Sequence, residues 1–270
     1  MAKPIIFTDL DGTLIDFKTY SFERTKDTVE KLTQKGIPIV FCSSKTRVEQ
    51  AYYRKALKNE HPFITENGSA IFVPSGYFNF DFDYQKEIEN YKVIELGVDY
   101  KTIRKTIESA REKTKVANFG YADLDLEEIS SIIKLAPEAA KRASTRDYTE
   151  TIIKGDVTSP AFEEFKEELL QNNLICVSGG KYHTVMGKQS DKGKAVEKLA
   201  SLYRKAFGEV LTIGLGDSAN DQPLLKVVDQ GYLVQKPGNY WEDMDIDGLN
   251  KINGIGPEGW VLATSPLLVK

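Results

Sequence analysis

Acidic residues occur twice in a spacing that would bring carboxylates together. The first group, Asp9-Leu10-Asp11-Gly12-Thr13, directly follows the apolar run Pro4-Ile5-Ile6-Phe7-Thr8. The second group, Gly214-Leu215-Gly216-Asp217-Ser218-Ala219-Asn220-Asp221, also ends an apolar run, and its two aspartates lie four residues apart where a helix should begin. Ligands of open α/β sheets bind at the carboxyl ends of the strands. Each group alone also fits a turn or a helix cap, but the two together favour one site.

Carboxylates that converge in this way repel one another unless a divalent cation offsets their charge. Oxygen donors without a thiolate or histidine pattern favour Mg²⁺. Cys42 and Cys176 are the only cysteines, and no Cys/His cluster has zinc spacing. The sequence therefore predicts Mg²⁺ as the cofactor.

Two weaker patterns lie between the acidic groups. Cys42-Ser43-Ser44-Lys45-Thr46 ends a second apolar run, where hydroxyls and helix N-terminal amides would hold a phosphoryl oxygen. Asp191-Lys192-Gly193-Lys194 opens a helical stretch, and one of its ammonium groups would reach the same phosphoryl group. Each pattern alone also fits a plain helix cap or a solvated lysine.

The elements around these residues alternate between apolar runs and amphipathic helices. Helices are predicted at 22–34, 45–58, Lys192–Phe207 and 219–227, each next to a short apolar run. This order is typical of βαβ units and a parallel sheet. The middle of the chain mixes strands and helices differently. We predict an α/β fold with a Rossmann-like parallel sheet core at 1–80 and 189–270, and an inserted α/β cap at 81–188.

Composition argues against several classes of partner. The net charge is −4 and no block of five or six Lys and Arg residues occurs, so neither a nucleic acid nor a polybasic membrane contact is expected. Acidic residues appear too early for a signal peptide, and no apolar run is long enough to span a bilayer. We expect a cytoplasmic protein whose partner is a small molecule, and the sequence leaves its oligomeric state open.

Together and in this order, the four motifs resemble those of the haloacid dehalogenase superfamily of phosphatases. The resemblance implies that Asp9 is the nucleophile and Asp11 the general acid/base, while Ser43 and Lys192 stabilise the transferred phosphoryl group. It also implies that Asp217 and Asp221 hold Mg²⁺ together with Asp9 and Asp11. Such roles are physically consistent, because a carboxylate and a phosphate dianion repel and need nearby positive charge.

The cap is inserted between the Ser43 and Lys192 motifs, and this position resembles that in the sugar phosphatases with a large α/β cap. The Glu66-Asn67-Gly68-Ser69 turn resembles the same subgroup. The second motif, Ser43-Ser44-Lys45-Thr46-Arg47, departs from the usual Ser/Thr-Gly-Arg and is similar to that of mannosyl-3-phosphoglycerate phosphatases. Arg146-Asp147-Tyr148-Thr149-Glu150 and Gly179-Gly180-Lys181-Tyr182-His183, followed by Met186-Gly187, extend this likeness.

The implied substrate carries a phosphate, a carboxylate and a hexose, so its site needs further cations and hydroxyl-binding groups. We expect four residues to contact it: Lys45, Arg146, His183 and Asn220. A surface ion pair is the alternative for Lys45 and Arg146, and a structural role is the alternative for His183. The implied reaction is release of phosphate from mannosyl-3-phosphoglycerate.

Other functions stay open. Glucosyl-3-phosphoglycerate, sucrose phosphate or another hexose phosphate would suit the same fold, and a phosphohexose mutase has a similar cap. The complete set of Asp9, Asp11, Lys192 and Asp217 argues against a binding module without catalytic activity.

Overall fold

The computed structural model describes residues 2–179 and 182–269. The chain divides into two compact units. The first comprises Met1–Ser44, Tyr52–Ile94 and Asp191–Lys270, and the second comprises Lys45–Ala51 and Glu95–Ser190. No helix in the described part of the chain is long and apolar enough to cross a membrane.

The N-terminal third of the chain forms six strands and two helices. In order these are β1 (Lys3–Thr8), α1 (Glu23–Gln34), β2 (Ile39–Phe41), α2 (Arg47–Ala56), β3 (Phe63–Thr65), β4 (Ala70–Pro74), β5 (Lys86–Ile88) and β6 (Tyr91–Glu95). Helix α2 begins two residues later than the sequence predicted, because Thr46 caps it. The Thr46 hydroxyl accepts the N–H of Glu49 at 3.1 Å, and the Glu49 carboxylate accepts the N–H of Thr46 at 2.9 Å.

The described residues in the middle of the chain form four further strands and four α-helices. These are α3 (Tyr100–Thr114), β7 (Asn118–Gly120), α4 (Leu126–Ile133), α5 (Pro137–Ser144), β8 (Thr149–Gly155), α6 (Pro160–Gln171), β9 (Leu174–Gly179) and β10 (Tyr182–Gly187). The strands form one antiparallel sheet in the order β7-β8-β10-β9. Apolar residues of α3 and α6, among them Ile103, Phe162 and Phe165, pack in one buried cluster with Ile152 and Val185 of the sheet.

The C-terminal part returns to alternating strands and helices: α7 (Lys192–Phe207), β11 (Val210–Gly216), α8 (Gln222–Val227), β12 (Gln230–Gln235), β13 (Asn250–Ile255) and α9 (Gly256–Thr264). The predicted bounds of α7 match those observed. The predicted helix at 219–227 is instead a 3-10 turn, Ala219–Asp221, followed by α8. Pro223 lies in the first turn of α8, where its missing N–H costs no helical hydrogen bond.

The first unit is built on a five-stranded parallel sheet in the order β13-β12-β11-β1-β2. Strand β1 lies near its centre, and Ile5, Ile6 and Phe7 are fully buried, as expected for a strand covered on both faces. The predicted α/β class with a parallel sheet is confirmed.

A second sheet of the first unit, in the order β3-β4-β6-β5, was not foreseen. Its strands are short, and the polar residues of β5 give no apolar pattern. Because β5 and β6 pair in this sheet, the first unit extends to Ile94, whereas the sequence placed the start of the cap at residue 81. Residues Lys45–Ala51 also group with the second unit rather than with the first.

Candidate active site

Three polar side chains leave neighbouring parallel strands at the same edge of the sheet. Asp9 follows β1, and its N–H donates to the carbonyl of Leu215 in β11 at 3.0 Å. Asp217 follows β11 directly, and Thr8 and Leu215 are paired in the register of the two strands. Ser43 follows β2, where the N–H of Cys42 donates to the Thr8 carbonyl at 2.8 Å. The sheet therefore brings Asp9, Ser43 and Asp217 to one edge, as the sequence predicted for strand ends.

Lys192 joins this edge from the first turn of α7. Its side chain is 1% exposed, and Nζ lies 2.7 Å from Oδ1 of Asp9 and 2.6 Å from Oδ1 of Asp221. Burial by itself lowers the pKa of an ammonium, but Asp221 and Asp9 outweigh it and raise the pKa of Lys192 above its ordinary value. The buried ammonium is therefore charged and shared between two carboxylates.

Asp9, Asp217 and Asp221 form a buried group of carboxylates. One oxygen of each lies within 4.8 Å of the others. Burial raises the pKa of Asp9 well above its usual range; Lys192 opposes the rise, while Asp221, Asp217 and Asp11 add to it. Burial, with Asp221, likewise raises the pKa of Asp217 to about 7. Lys192 donates to Asp9 and Asp221, while the charge of Lys236, which is paired with Glu242, acts on Asp217. Three converging carboxylate oxygens are suited to a hard divalent cation.

Asp221 is already engaged through both oxygens. Its Oδ1 accepts the bond from Lys192, and Oδ2 accepts the backbone N–H groups of Asp217 and Ser218 at 3.0 and 3.1 Å. Asp221 thus holds both the lysine and the loop that carries Asp217. Within the described residues, the trio does not include Asp11, whose partly exposed side chain lies two positions beyond Asp9.

The turn after Asp11 is shaped around Asp217. Gly12 has φ +77°, and a Cβ atom there would lie 2.8 Å from Oδ2 of Asp217. Only glycine combines that backbone conformation with so close an approach. Thr13 donates its hydroxyl to Oδ1 of Asp217 at 3.3 Å. The two acidic motifs therefore contact each other directly.

Trp260 supports the same strand end, although the sequence did not predict it. Its indole Nε1–H donates to the Thr8 hydroxyl at 3.0 Å, and that hydroxyl donates to the carbonyl of Asp9 at 2.7 Å. Trp260 lies in α9, 252 residues from Thr8. No local pattern near Trp260 indicates this contact.

In the second unit, Lys45 and Arg146 both interact electrostatically with the carboxylate of Glu49. Lys45 Nζ lies 3.4 Å from Oε1 of Glu49, and both side chains are largely buried. Burial favours the neutral acid, but Lys45 and Arg146 outweigh it and hold the pKa of Glu49 below its ordinary value. Arg146 also donates to the Ala143 carbonyl at 3.1 Å and to the Thr149 hydroxyl at 2.9 Å.

His183 and Asn220, the other two candidates for substrate contact, have different surroundings. The ring of His183 in β10 lies edge-on to Phe162, with centroids 5.1 Å apart. Burial and the charge of Lys166 lower its pKa. Among the described residues, the ring of His183 interacts with Phe162 and Lys166 of α6, and not with Lys45 or Arg146. Gly180 and Lys181, which contributed to the likeness in this segment, lie outside the described residues.

Asn220 belongs to the first unit and lies in the loop of the second acidic motif. Its Oδ1 accepts a bond from the Ser218 hydroxyl at 2.8 Å, and its Nδ2 donates to Oδ1 of Asn67 at 3.1 Å. The structure therefore brings Asn220 to the same edge as Asp217 and Asp221.

The model of the haloacid dehalogenase-like hydrolase family matches residues 6–237. The chain belongs to that family. The resemblance inferred from the four motifs is confirmed.

Similar proteins extend this likeness over nearly the whole chain. A glucosyl-3-phosphoglycerate/mannosyl-3-phosphoglycerate phosphatase of Methanococcoides burtonii is 44% identical, covering 99% of this chain and 98% of its own length. A mannosyl-3-phosphoglycerate phosphatase of Pyrococcus horikoshii is 40% identical over 85% of this chain and 90% of its own. A solved phosphatase of the haloalkanoate superfamily from Bacteroides thetaiotaomicron shares the fold with a TM-score of 0.67 at 17% identity, covering 99% of this chain and 96% of that one.

Proposed function

We propose that this chain, a phosphomonoester hydrolase, uses Mg²⁺ and the nucleophile Asp9 to release phosphate from mannosyl-3-phosphoglycerate, which leaves mannosylglycerate. The observation that carries the proposal is the buried Lys192 ammonium, bound to Asp9 and Asp221 beside the third carboxylate, Asp217. A nucleophilic carboxylate next to a fixed cation and a cluster of oxygen donors is suited to phosphoryl transfer.

The proposed reaction has two steps. In the first, an oxygen of Asp9 attacks the phosphorus, and the bond between phosphorus and the glycerate oxygen breaks while Asp11 donates a proton to that oxygen. In the second step, Asp11 takes a proton from a water molecule while the oxygen of that water attacks the phosphorus of the aspartyl phosphate. The bond between phosphorus and the Asp9 oxygen breaks, and Asp9 is regenerated as a carboxylate. Lys192 and the Ser43 hydroxyl stabilise charge on the phosphoryl oxygens in both steps.

Asp9, Asp11, Asp217 and Asp221 are the proposed metal-binding residues. The buried trio supports three of them. Burial, and then the neighbouring carboxylates, raise the pKa values of Asp9 and Asp217, and a bound cation would favour their ionised forms. When bound, Mg²⁺ would reduce the repulsion between Asp9 and a phosphate dianion and stabilise charge on the phosphoryl oxygens.

The proposed carboxylate site is the group of Lys45 and Arg146. Lys45 and Arg146 both act on the carboxylate of Glu49, and the side chains of Lys45 and Glu49 are largely buried. This pair of cations is proposed to bind the glycerate carboxylate, with a charge-assisted hydrogen bond from Arg146. His183 and Asn220 are proposed to contact the remaining polar groups of the substrate.

Glucosyl-3-phosphoglycerate is a second candidate substrate. The relative from Methanococcoides burtonii is named for both hexoses. Both substrates carry the same phosphate and carboxylate, so the residues proposed above serve either one.

A phosphate-release assay with Mg²⁺ tests the proposal. Its substrates are mannosyl-3-phosphoglycerate, glucosyl-3-phosphoglycerate, sucrose phosphate and a hexose phosphate, and isomerised sugar phosphate is measured in parallel. We expect the highest kcat/KM for a hexosyl-3-phosphoglycerate. Preference for a substrate without a carboxylate, or isomerisation without phosphate release, would contradict the proposal.

A further inference from the structure

The turn Glu66–Ser69 has an unusual backbone. Three consecutive residues have positive φ values: Glu66 at 48°, Asn67 at 58° and Gly68 at 88°. Glu66 is also fully buried. Residues other than glycine adopt positive φ values at a cost in free energy, and this strain persists only where the surrounding structure stabilises the conformation.

Gly68 places the turn against the start of α7. A Cβ atom at Gly68 would lie 2.1 Å from the carbonyl oxygen of Asp191 and 2.7 Å from the backbone nitrogen of Lys192. The turn therefore packs directly on the backbone from which the Lys192 side chain extends to Asp9.

Asn67 links the turn to two other parts of the site. Its N–H donates to the carbonyl of Ser43 at 3.1 Å, and its side-chain Oδ1 accepts the amide of Asn220 at 3.1 Å. One strained turn thus contacts the segments that carry Ser43, Lys192 and Asn220, which are far apart in the sequence.

We propose that the Glu66–Ser69 turn is a positioning element of the active site. Gly68 fixes the backbone at Lys192, and Asn67 orients Asn220 and holds the strand end at Ser43. The sequence singled out this turn only for its likeness to a phosphatase subgroup, and the proposed reaction gives it no role. The inference rests on the proposed function of Lys192 and Asn220.

The first test compares Gly68→Ala with Gly76→Ala. Gly76 has φ +77°, and a Cβ atom added there would have no neighbour within 4 Å, so its substitution carries the same backbone strain without the contact at α7. After correction for the folded fraction, Gly68→Ala should lower kcat about a hundredfold, as expected when a reacting group shifts by about 1 Å. Gly76→Ala should stay within about twofold of the parent. Equal kcat values for the two folded variants would overturn the role of Gly68.

The second test uses Asn67→Gly, which keeps the turn because glycine readily adopts positive φ. Its Tm should not fall. Loss of the bond to Asn220 should reduce kcat/KM by about two- to tenfold, the effect of one hydrogen bond. In a cycle with Asn220→Ala, the double variant should be no worse than Asn220→Ala alone. Effects that multiply, or a fall in Tm with unchanged kcat/KM, would overturn the role of Asn67.

Asp9→Asn separates this inference from the proposed function. If Asp9→Asn keeps full activity, the proposed site itself is wrong. If Asp9→Asn is inactive while Gly68→Ala matches Gly76→Ala and Asn67→Gly matches the parent protein, only the positioning role fails.

Discussion

The ammonium of Lys192 lies 2.7 Å from Oδ1 of Asp9, and both side chains are almost completely buried. Asp221 binds the same ammonium at 2.6 Å, so one cation stabilises two carboxylates away from water. A buried pair of this kind contributes little net stability, but breaking it leaves an unpaired charge. The proposed nucleophile therefore depends on Lys192 for its ionised form as well as for phosphoryl binding.

Lys192→Met should abolish turnover and lower the free energy of unfolding of the metal-free protein by about 3–5 kcal/mol. Added Mg²⁺ should restore part of that loss, because it also offsets the charge of the carboxylates. Urea denaturation with and without Mg²⁺ measures both effects. Lys194→Met is the matched control, since that side chain on the same helix is 51% exposed and should change stability little. Equal stability of the two variants would contradict this electrostatic account.

Removal of metal with EDTA should stop phosphate release, and Mg²⁺ should restore it. Asp217→Ala should raise the Mg²⁺ concentration for half-maximal activity by at least about tenfold, because one oxygen donor of a buried site is lost. Titration of activity and calorimetric Mg²⁺ binding check this prediction independently. Asp243→Ala changes an exposed carboxylate of the same unit and serves as the control. Full activity of metal-free protein would refute the metal assignment.

Arg146→Ala should lower kcat/KM on mannosyl-3-phosphoglycerate by at least about tenfold, because loss of a charged contact typically costs about 2–5 kcal/mol. Hydrolysis of p-nitrophenyl phosphate, which lacks a carboxylate, should change little. Lys141→Ala removes an exposed cation from α5 and should affect neither substrate. An equal fall in kcat/KM on both substrates would indicate that Arg146 has a structural role or binds the phosphate, and not the carboxylate.

His61 should make stability depend on pH below neutrality. Its Nδ1 lies 2.7 Å from the Tyr77 hydroxyl, and burial, with Arg54 and Lys3, lowers the pKa of His61 to about 4. Unfolding returns that pKa to about 6.5, so the unfolded chain binds the extra proton and stability falls as the pH drops from about 6.5 to 4. The loss at pH 5 should be about 2 kcal/mol.

Urea denaturation of His61→Gln at pH 7 and pH 5 tests this, because the other titrating groups are shared with the parent protein. The variant should lose about 2 kcal/mol less than the parent between the two pH values. His183→Gln, at the only other histidine of the chain, should leave the contribution of His61 in place. An unchanged pH dependence in His61→Gln would contradict the assignment.

The sequence predicted the fold class and the strand-end positions of Asp9, Ser43 and Asp217, because buried parallel strands and the polar residues after them are local patterns. It also predicted the bounds of α7, because the helical spacing of apolar residues is likewise a local pattern. The contacts of Lys192 with Asp221 and of Trp260 with Thr8 depend on segments far apart in the chain. Local periodicity does not encode such contacts. The sheet of β3, β4, β5 and β6 was missed because its strands are short and β5 is polar.

Formation of an aspartyl phosphate at Asp9 is the central claim, and Asp11→Asn with p-nitrophenyl phosphate tests it most directly. p-Nitrophenolate departs without a proton, so the first step should proceed, whereas the second step needs a base to activate water. Asp11→Asn should release a burst of about one p-nitrophenolate per enzyme and then stall. Mass spectrometry of the quenched and digested protein should find a phosphoryl group on Asp9. Steady turnover without a burst, and without phosphate on the Asp9 peptide, would contradict the covalent mechanism.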